Sequence, residues 1–244
     1  MNKTVRDLLA AVFPPRCIYC GKKTGTVYDV CRSCTASLPV IEGKICSSCG
    51  REKAVCDCRN RENYYDGICA PFYYEGTVKS GIQAFKFSGK TAGAKTFAAE
   101  IAKAAGKRFP GVKFDFVTEV PMTKRAVGKR GYNQCTLLAK EAAKLTGSEY
   151  IPAVIKKIYE TDTQHRLSAI RRRGNLAGVF DVGEPGLVNG KTILLVDDIS
   201  TSGETFNECA KMLWLYGADS VYCAALALTK SKSKTGENKN TAKG

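Results

Sequence analysis

Residues 193–205 read ILLVDDISTSGET: four apolar side chains, two adjacent acids, then a turn rich in hydroxyls and glycine. Residues 193–196 have the length and apolar continuity of a strand buried on both faces. From Glu204 to residue 216 the pattern becomes helical, with Cys209, Leu213 and Tyr216 recurring on one side. The polar turn therefore falls at the carboxyl end of a parallel strand, where open sheets bind ligands and where the amides of a helix start favour an anion. A plain strand, an Asp-rich turn and a helix cap would use the same residue types. The order of strand, acids, glycine and helix is what points to a ligand.

Each residue type there has a chemical use. Asp197 and Asp198 can accept hydrogen bonds from both hydroxyls of a ribose, while Ser200, Thr201, Ser202 and Thr205 offer hydroxyls to a phosphate. Gly203 lets the backbone approach closely. The pattern resembles the phosphoribosyl pyrophosphate (PRPP) loop of type I phosphoribosyltransferases, in which two acids hold the ribose and the following turn holds its 5-phosphate.

A chain of 244 residues with 44% apolar residues can bury a sizeable core. Its formal charge of +15 and pI near 9.3 call for an anionic partner, either a phosphorylated substrate or nucleic acid. No apolar run approaches the roughly 20 residues that a bilayer requires. Residues 8–13 are too short for a span, follow Arg6 and Asp7, and lack a cleavage site. They are expected to form a helix ending at Pro14 and Pro15, in a cytoplasmic protein.

Of the twelve cysteines, eight lie in the first quarter of the chain as close pairs. CIYCG and CSSCG continue into glycine, the small residue a zinc knuckle needs for its backbone amides to turn toward thiolates. Two four-cysteine zinc sites in series are expected: Cys17, Cys20, Cys31 and Cys34, then Cys46, Cys49, Cys56 and Cys58, although cross-braced pairing fits the spacing too. With little apolar material between the pairs, metal would supply most of the folding energy there, on the order of 10 kcal/mol per site. Cys69, Cys135, Cys209 and Cys223 are scattered and read as packed thiols. A catalytic cysteine would want a nearby histidine, and the only one is His165.

A polar connector at residues 59–66 separates this head, residues 1–66, from a second unit expected over residues 67–229. Helices are expected over residues 77–87, 92–109 and 134–145, with strands at 114–120 (the first of the core), 151–159 and 220–228. Strands alternating with helices imply an α/β fold with a mostly parallel sheet. Residues 230–244 are polar without an apolar period and are expected to be disordered.

Two basic segments complete the site. Residues 120–134, VPMTKRAVGKRGYNQ, leave a strand carrying Lys124, Arg125, Lys129 and Arg130, with Gly131 and Asn133 as turn and N-cap. Such side chains at a strand's carboxyl end suit pyrophosphate, and arginine can grip two oxygens at once; a solvated basic loop uses the same residues. Residues 161–180, TDTQHRLSAIRRRGNLAGVF, are too polar for a core and long for a connector. They read as a lid whose arginines, Arg166 and Arg171 above all, would neutralise departing pyrophosphate, or as a disordered basic loop or nucleic-acid contact. Lys129, Arg130, Arg172 and Arg173 are the candidates for nucleic acid.

AVFPPRCIYCG, residues 120–134, residues 163–180 and residues 193–205 occur in the order seen in the ComF family of competence proteins, which the chain resembles over nearly all of residues 9–228. The resemblance implies a type I phosphoribosyltransferase fold behind a double zinc ribbon, and a role in natural transformation on incoming single-stranded DNA, alongside other DNA-uptake proteins. By position, Asp197 and Asp198 would bind ribose, Thr201 to Thr205 the 5-phosphate, and Pro121, Met122, Thr123, Lys124 and Arg125 the pyrophosphate, with Mg²⁺ accompanying PRPP. Purine-specific transferases of this fold place an aspartate general base where Thr201 stands, which counts against a purine acceptor. A non-catalytic nucleic-acid adapter and a PRPP-sensing regulator are the alternatives to a transferase.

Overall fold

The computed structural model describes residues 14–24, 30–58, 62–87, 91–158 and 179–230. Its centre is a parallel sheet in the order β1 (Gly67–Cys69), β8 (Ser220–Leu228), β7 (Thr192–Ser200), β3 (Phe116–Glu119) and β4 (Glu149–Tyr150), with β2 (Phe72–Tyr73) also paired to β8. The middle strand, β7, lies between β3 and β8. β1 and β2 extend the β8 side, and β4 the β3 side.

The ILLV run explains the layering. Ile193 and Leu195 enter one core cluster while Leu194 and Val196 enter the other, all four at 0% exposure. A strand presents alternate residues to opposite faces, so a continuous apolar run requires cover on both. One face packs helices α2 (Gly76–Phe87), α3 (Ala94–Arg108) and α5 (Gln134–Thr146) through Ile82, Phe85, Phe97, Ile101 and Leu138. The other packs α6 (Glu204–Leu215) through Phe206, Cys209, Ala210 and Leu213. Full burial of each large apolar side chain stabilises by about 1.5–3 kcal/mol, enough for these layers to outweigh local propensity. The short α1 (Arg32–Ala36) lies in the cysteine-rich head.

Several expectations need correction. The central strand does not stop at Val196; it continues to Ser200 because β8 stays apolar and offers partners, Asp197 opposite Ala225 and Ser200 opposite Leu228. The expected strand over residues 151–159 is shorter than that and does not join the main sheet. Glu149–Tyr150 joins the main sheet, the chain turns at Pro152 and Ala153 (φ 53°), and β5 (Ile155–Lys157) pairs antiparallel with β6 (Phe180–Val182) as a separate two-stranded sheet. The first core strand is Gly67–Cys69 instead of the one near residue 116. The basic segment is a helix of its own, α4 (Lys124–Arg130), because Thr123 caps it by accepting from the Ala126 amide at 3.1 Å and Gly131 ends it. Asn133 then caps α5 as expected, accepting from the Cys135 amide at 2.9 Å.

The N-terminal helix, residues 161–178 of the lid and the tail from residue 231 lie outside the described residues. Among the described residues, no helix is long and apolar enough to cross a membrane.

Candidate functional site

The two acids stand near the carboxyl end of β7 with different surroundings. Asp198 is 4% exposed. One of its oxygens takes the Lys86 ammonium at 2.9 Å and the other accepts from the Gln134 amide at 2.6 Å. Asp197 is half-buried; its Oδ1 accepts from the Asp198 backbone amide at 2.7 Å and from the Cys135 thiol at 3.2 Å. Burial, and then the charge of Asp198, push Asp197 up to about 7, against the opposing pull of the Cys135 thiol. Burial likewise raises the Cys135 thiol well above its ordinary value, so it stays a neutral donor.

Three of these partners were not recognised from the sequence. Lys86 reads there only as the closing residue of a helix, Gln134 as a helix start and Cys135 as a packed thiol. The Asn-Gln pair after the basic segment was the available signal, since it puts an amide side chain at the first turn of a helix whose start faces the site. Arg130, a candidate for nucleic acid in the sequence, has local partners in the structure. Its guanidinium donates to Gln134 Oε1 at 2.9 Å and lies 5.1 Å from the centre of the Phe87 ring. A relay thus runs from Arg130 through Gln134 to Asp198. Tyr132 is held as well, donating its hydroxyl to the Phe85 carbonyl.

Beyond the acids, Ser200 ends the strand in a buried position, Thr201 and Ser202 are exposed, and Gly203 (φ 79°) directly precedes α6. The positive φ turns the chain abruptly from strand to helix, so the N-terminus of α6 follows within a few residues of the carboxyl end of β7. Thr205 is exposed in the first turn of α6.

Pro121, Met122 and Thr123 line a cavity of about 760 Å³ together with Glu119, Asn133 and the β5–β6 pair, including Lys156, Lys157 and Asp181. Its floor is ordered by Glu119, 5% exposed, which accepts from Thr136 and Tyr150, both at 3.1 Å. The backbone of Lys124 begins α4; Arg125 and Lys129 are exposed on it. Arg166, Arg171, Arg172 and Arg173 lie outside the described residues.

The cysteines gather as two sequential sets, Cys17/Cys20/Cys31/Cys34 and Cys46/Cys49/Cys56/Cys58, each with its ligand atoms within 4.8 Å of one another. The cross-braced alternative is therefore not the arrangement found. Each leading pair sits in a tight hairpin: the Gly21 amide donates to Cys17 O at 2.8 Å and the Gly50 amide to Cys46 O at 3.0 Å. Four thiolate donors at this spacing, closed by knuckle turns, fit a structural zinc ion. A third group, Cys135, Asp197 and Asp198, also falls within 4.8 Å. Its mixed thiol and carboxylate set suits no single metal class, and its donors already serve the network described above.

Family models match in the same two places. The double zinc ribbon domain matches residues 8–71 and the phosphoribosyl transferase domain residues 135–243. Competence protein F of Haemophilus influenzae is 28% identical over 222 residues, covering 87% of this chain and 96% of its own. The DNA utilization protein YhgH of Escherichia coli is 28% identical over 218 residues (87% and 90%), and Competence protein ComFC of Bacillus subtilis 28% over 194 residues (75% and 77%). Among solved structures, the glutamine PRPP amidotransferase of B. subtilis shares 23% identity at a TM-score of 0.38, over 55% of this chain and 26% of that one, so the chain spans about a quarter of that enzyme's length. The purine phosphoribosyltransferase of Pyrococcus horikoshii shares 16% at a TM-score of 0.36, over 55% and 73%.

Proposed function

Since the chain belongs to the ComF-type competence proteins, with a double zinc ribbon ahead of a phosphoribosyltransferase domain, we propose that it binds PRPP or a related phosphorylated sugar and handles incoming single-stranded DNA on the cytoplasmic side. The observation that carries this reading is the placing of Asp197 and Asp198 near the carboxyl end of the central strand, with α6 beginning directly after the Gly203 turn that follows it. Carboxylates there accept from the ribose hydroxyls, and residues 201–205 offer amides and hydroxyls to the 5-phosphate. Pro121 to Arg125 are assigned to pyrophosphate, and the first three of them, Pro121, Met122 and Thr123, line the cavity. Arg166 and Arg171 are assigned to charge developing on pyrophosphate. Mg²⁺ bound with the donor would supply positive charge to its phosphate oxygens. Lys129, Arg130, Arg172 and Arg173 are assigned to DNA, with Arg130 reaching it only by leaving Gln134.

A non-catalytic binding role has its own support: Asp198 is already engaged by Lys86 and Gln134, so ribose must share or displace these partners.

Calorimetric titration with PRPP and Mg²⁺ tests the site. Asp198→Asn is expected to bind at least about tenfold more weakly, as a charge-assisted pair of hydrogen bonds is lost; equal affinity for variant and parent removes the assignment. Pyrophosphate release with and without single-stranded DNA separates a transferase from a binder. DNA affinity should fall with salt at a log-log slope of about −0.7 per phosphate contacted.

A further inference from the structure

Arg51 belongs to the second cysteine knuckle, yet its side chain is buried against the other half of the protein. It is 6% exposed. Its Nε donates to the Thr229 carbonyl at 2.6 Å, and a terminal nitrogen donates to the carbonyl of Thr201. The Thr229 amide in turn donates to Ser200 O at 3.1 Å. One guanidinium therefore ties the end of β8 to the first residue of the turn that follows the paired acids.

The knuckle fixes this arginine closely. The Arg51 carbonyl accepts from the Cys46 amide at 2.8 Å, and Ile45 and Glu52 form an antiparallel bridge around the same turn. A second connection reaches the far end of the loop. Ser48 O, inside the knuckle, accepts from the Tyr65 hydroxyl at 2.6 Å, and that hydroxyl lies 3.3 Å from the point a Cβ on Gly203 would occupy. The knuckle backbone is itself seated on the sheet: a Cβ at Gly50 would stand 3.1 Å from Leu228 Cδ1 and 3.2 Å from Ile68 O. Arg51 thus holds the first residue of the 201–203 turn, and Ser48, through Tyr65, backs its last.

This arrangement has an electrostatic consequence. A carbonyl oxygen facing a phosphate repels it, whereas backbone amides attract it. Arginine carries five donors and no acceptor, keeps its charge at all accessible pH values, and suits holding carbonyls away from an anion site. We propose that Arg51 is a positioning residue for the 201–203 turn, and that the second four-cysteine site, by fixing Arg51, sets how tightly that turn holds a phosphate. The inference rests on residues 201–205 being the phosphate loop.

The test uses the full zinc-loaded chain, titrated with PRPP and Mg²⁺, and hydrogen exchange at residues 202–204. Arg51→Ala is expected to bind PRPP about tenfold more weakly, the size of one lost charge-assisted hydrogen bond, with faster exchange at these amides. Added guanidinium ion should restore part of the affinity, which it would not do for general damage to the fold. Cys58→Ser should weaken binding to a similar degree, and the double variant should bind no worse than either single one, because both act through one contact. If Arg51→Ala does not fold, Arg51→Lys, which keeps the charge but loses the two-pronged grip, takes its place in both measurements. Unchanged PRPP affinity in a folded Arg51 variant, or losses that add in the double variant, overturn the inference while leaving the sugar-phosphate site intact. A parent protein that binds no PRPP removes the site reading itself. Exchange at residues 202–204 that is unchanged in the Arg51 variant then also overturns the mechanical coupling.

Discussion

Lys86 and Asp198 form an ion pair, Nζ to Oδ1 at 2.9 Å, with side-chain exposures of 15% and 5%. The lysine comes from the last turn of α2 and the aspartate from β7, so the pair links a helix on one face of the sheet to the acids at its carboxyl end. Gln134 satisfies the other carboxylate oxygen. Two donors thus stand in for the water that burial removes from the Asp198 carboxyl group.

Lys86→Met should therefore destabilise more than an ordinary surface lysine change, by about 2 kcal/mol, because it strands a buried carboxylate with one donor. Adding Asp198→Asn should recover part of that loss, since the stranded charge is gone. Urea unfolding midpoints of the two single variants and the double variant measure this. Simple additivity would show that the pair is not coupled.

Asp197 sets a pH dependence. Its carboxyl is raised from 3.8 to about 7, chiefly by burial and then by Asp198, so between those values the folded chain holds a proton that the unfolded chain has released. Stability contributed by this group accordingly falls as pH rises through the window, and levels off above about 7 where both states are ionised. Asp197→Asn should flatten the profile of urea midpoint against pH over about pH 4 to 7. PRPP affinity in the parent should rise over the same interval, because ribose hydroxyls donate to the carboxylate form. Identical profiles for variant and parent would count against the raised value.

The two cysteine sets predict two zinc ions per chain. Cys20→Ser and Cys58→Ser should each retain one, counted by elemental analysis, and substitution with Co²⁺ should give thiolate charge-transfer bands that diminish by half in either variant. A strong chelator should unfold the head, since binding on the order of 10 kcal/mol per site is folding energy there. A parent chain holding a single metal ion would refute the pairing.

What the sequence disclosed was local. The ILLV run, the periodic apolar residues of α5 and the span of β8 at residues 220–228 are short-range patterns that fix element type. Gly67–Cys69 and Phe72–Tyr73 escaped because three and two residues cannot display a period. The break at Pro152 and Ala153 was hidden by apolar residues on either side of it. The two cysteine sets were legible from spacing, whereas the contact from Arg51 to Thr201 spans 150 positions and leaves no local mark. Gln134 and Asp198, 64 positions apart, meet for the same reason: the sheet order brings them together, and no sequence period records it.

Gly203 gives the most direct test of the turn between β7 and α6. Its φ of 79° lies in the left-handed region, where a Cβ crowds the following carbonyl at a cost of about 1–2 kcal/mol. A Cβ would also stand 3.3 Å from the Tyr65 hydroxyl, whose hydrogen bond to Ser48 limits how far it can retreat. Gly203→Ala should lower unfolding stability by about that amount and weaken PRPP more than single-stranded DNA, because the turn that offers its amides to the 5-phosphate is the part displaced. Gly203→Asn should be milder for the backbone, asparagine being the side chain that tolerates this region best, and should fall between alanine and the parent in stability. Denaturant unfolding together with paired PRPP and DNA titrations separates the effects. Equal losses for the two ligands would place the phosphate of the sugar somewhere other than this turn.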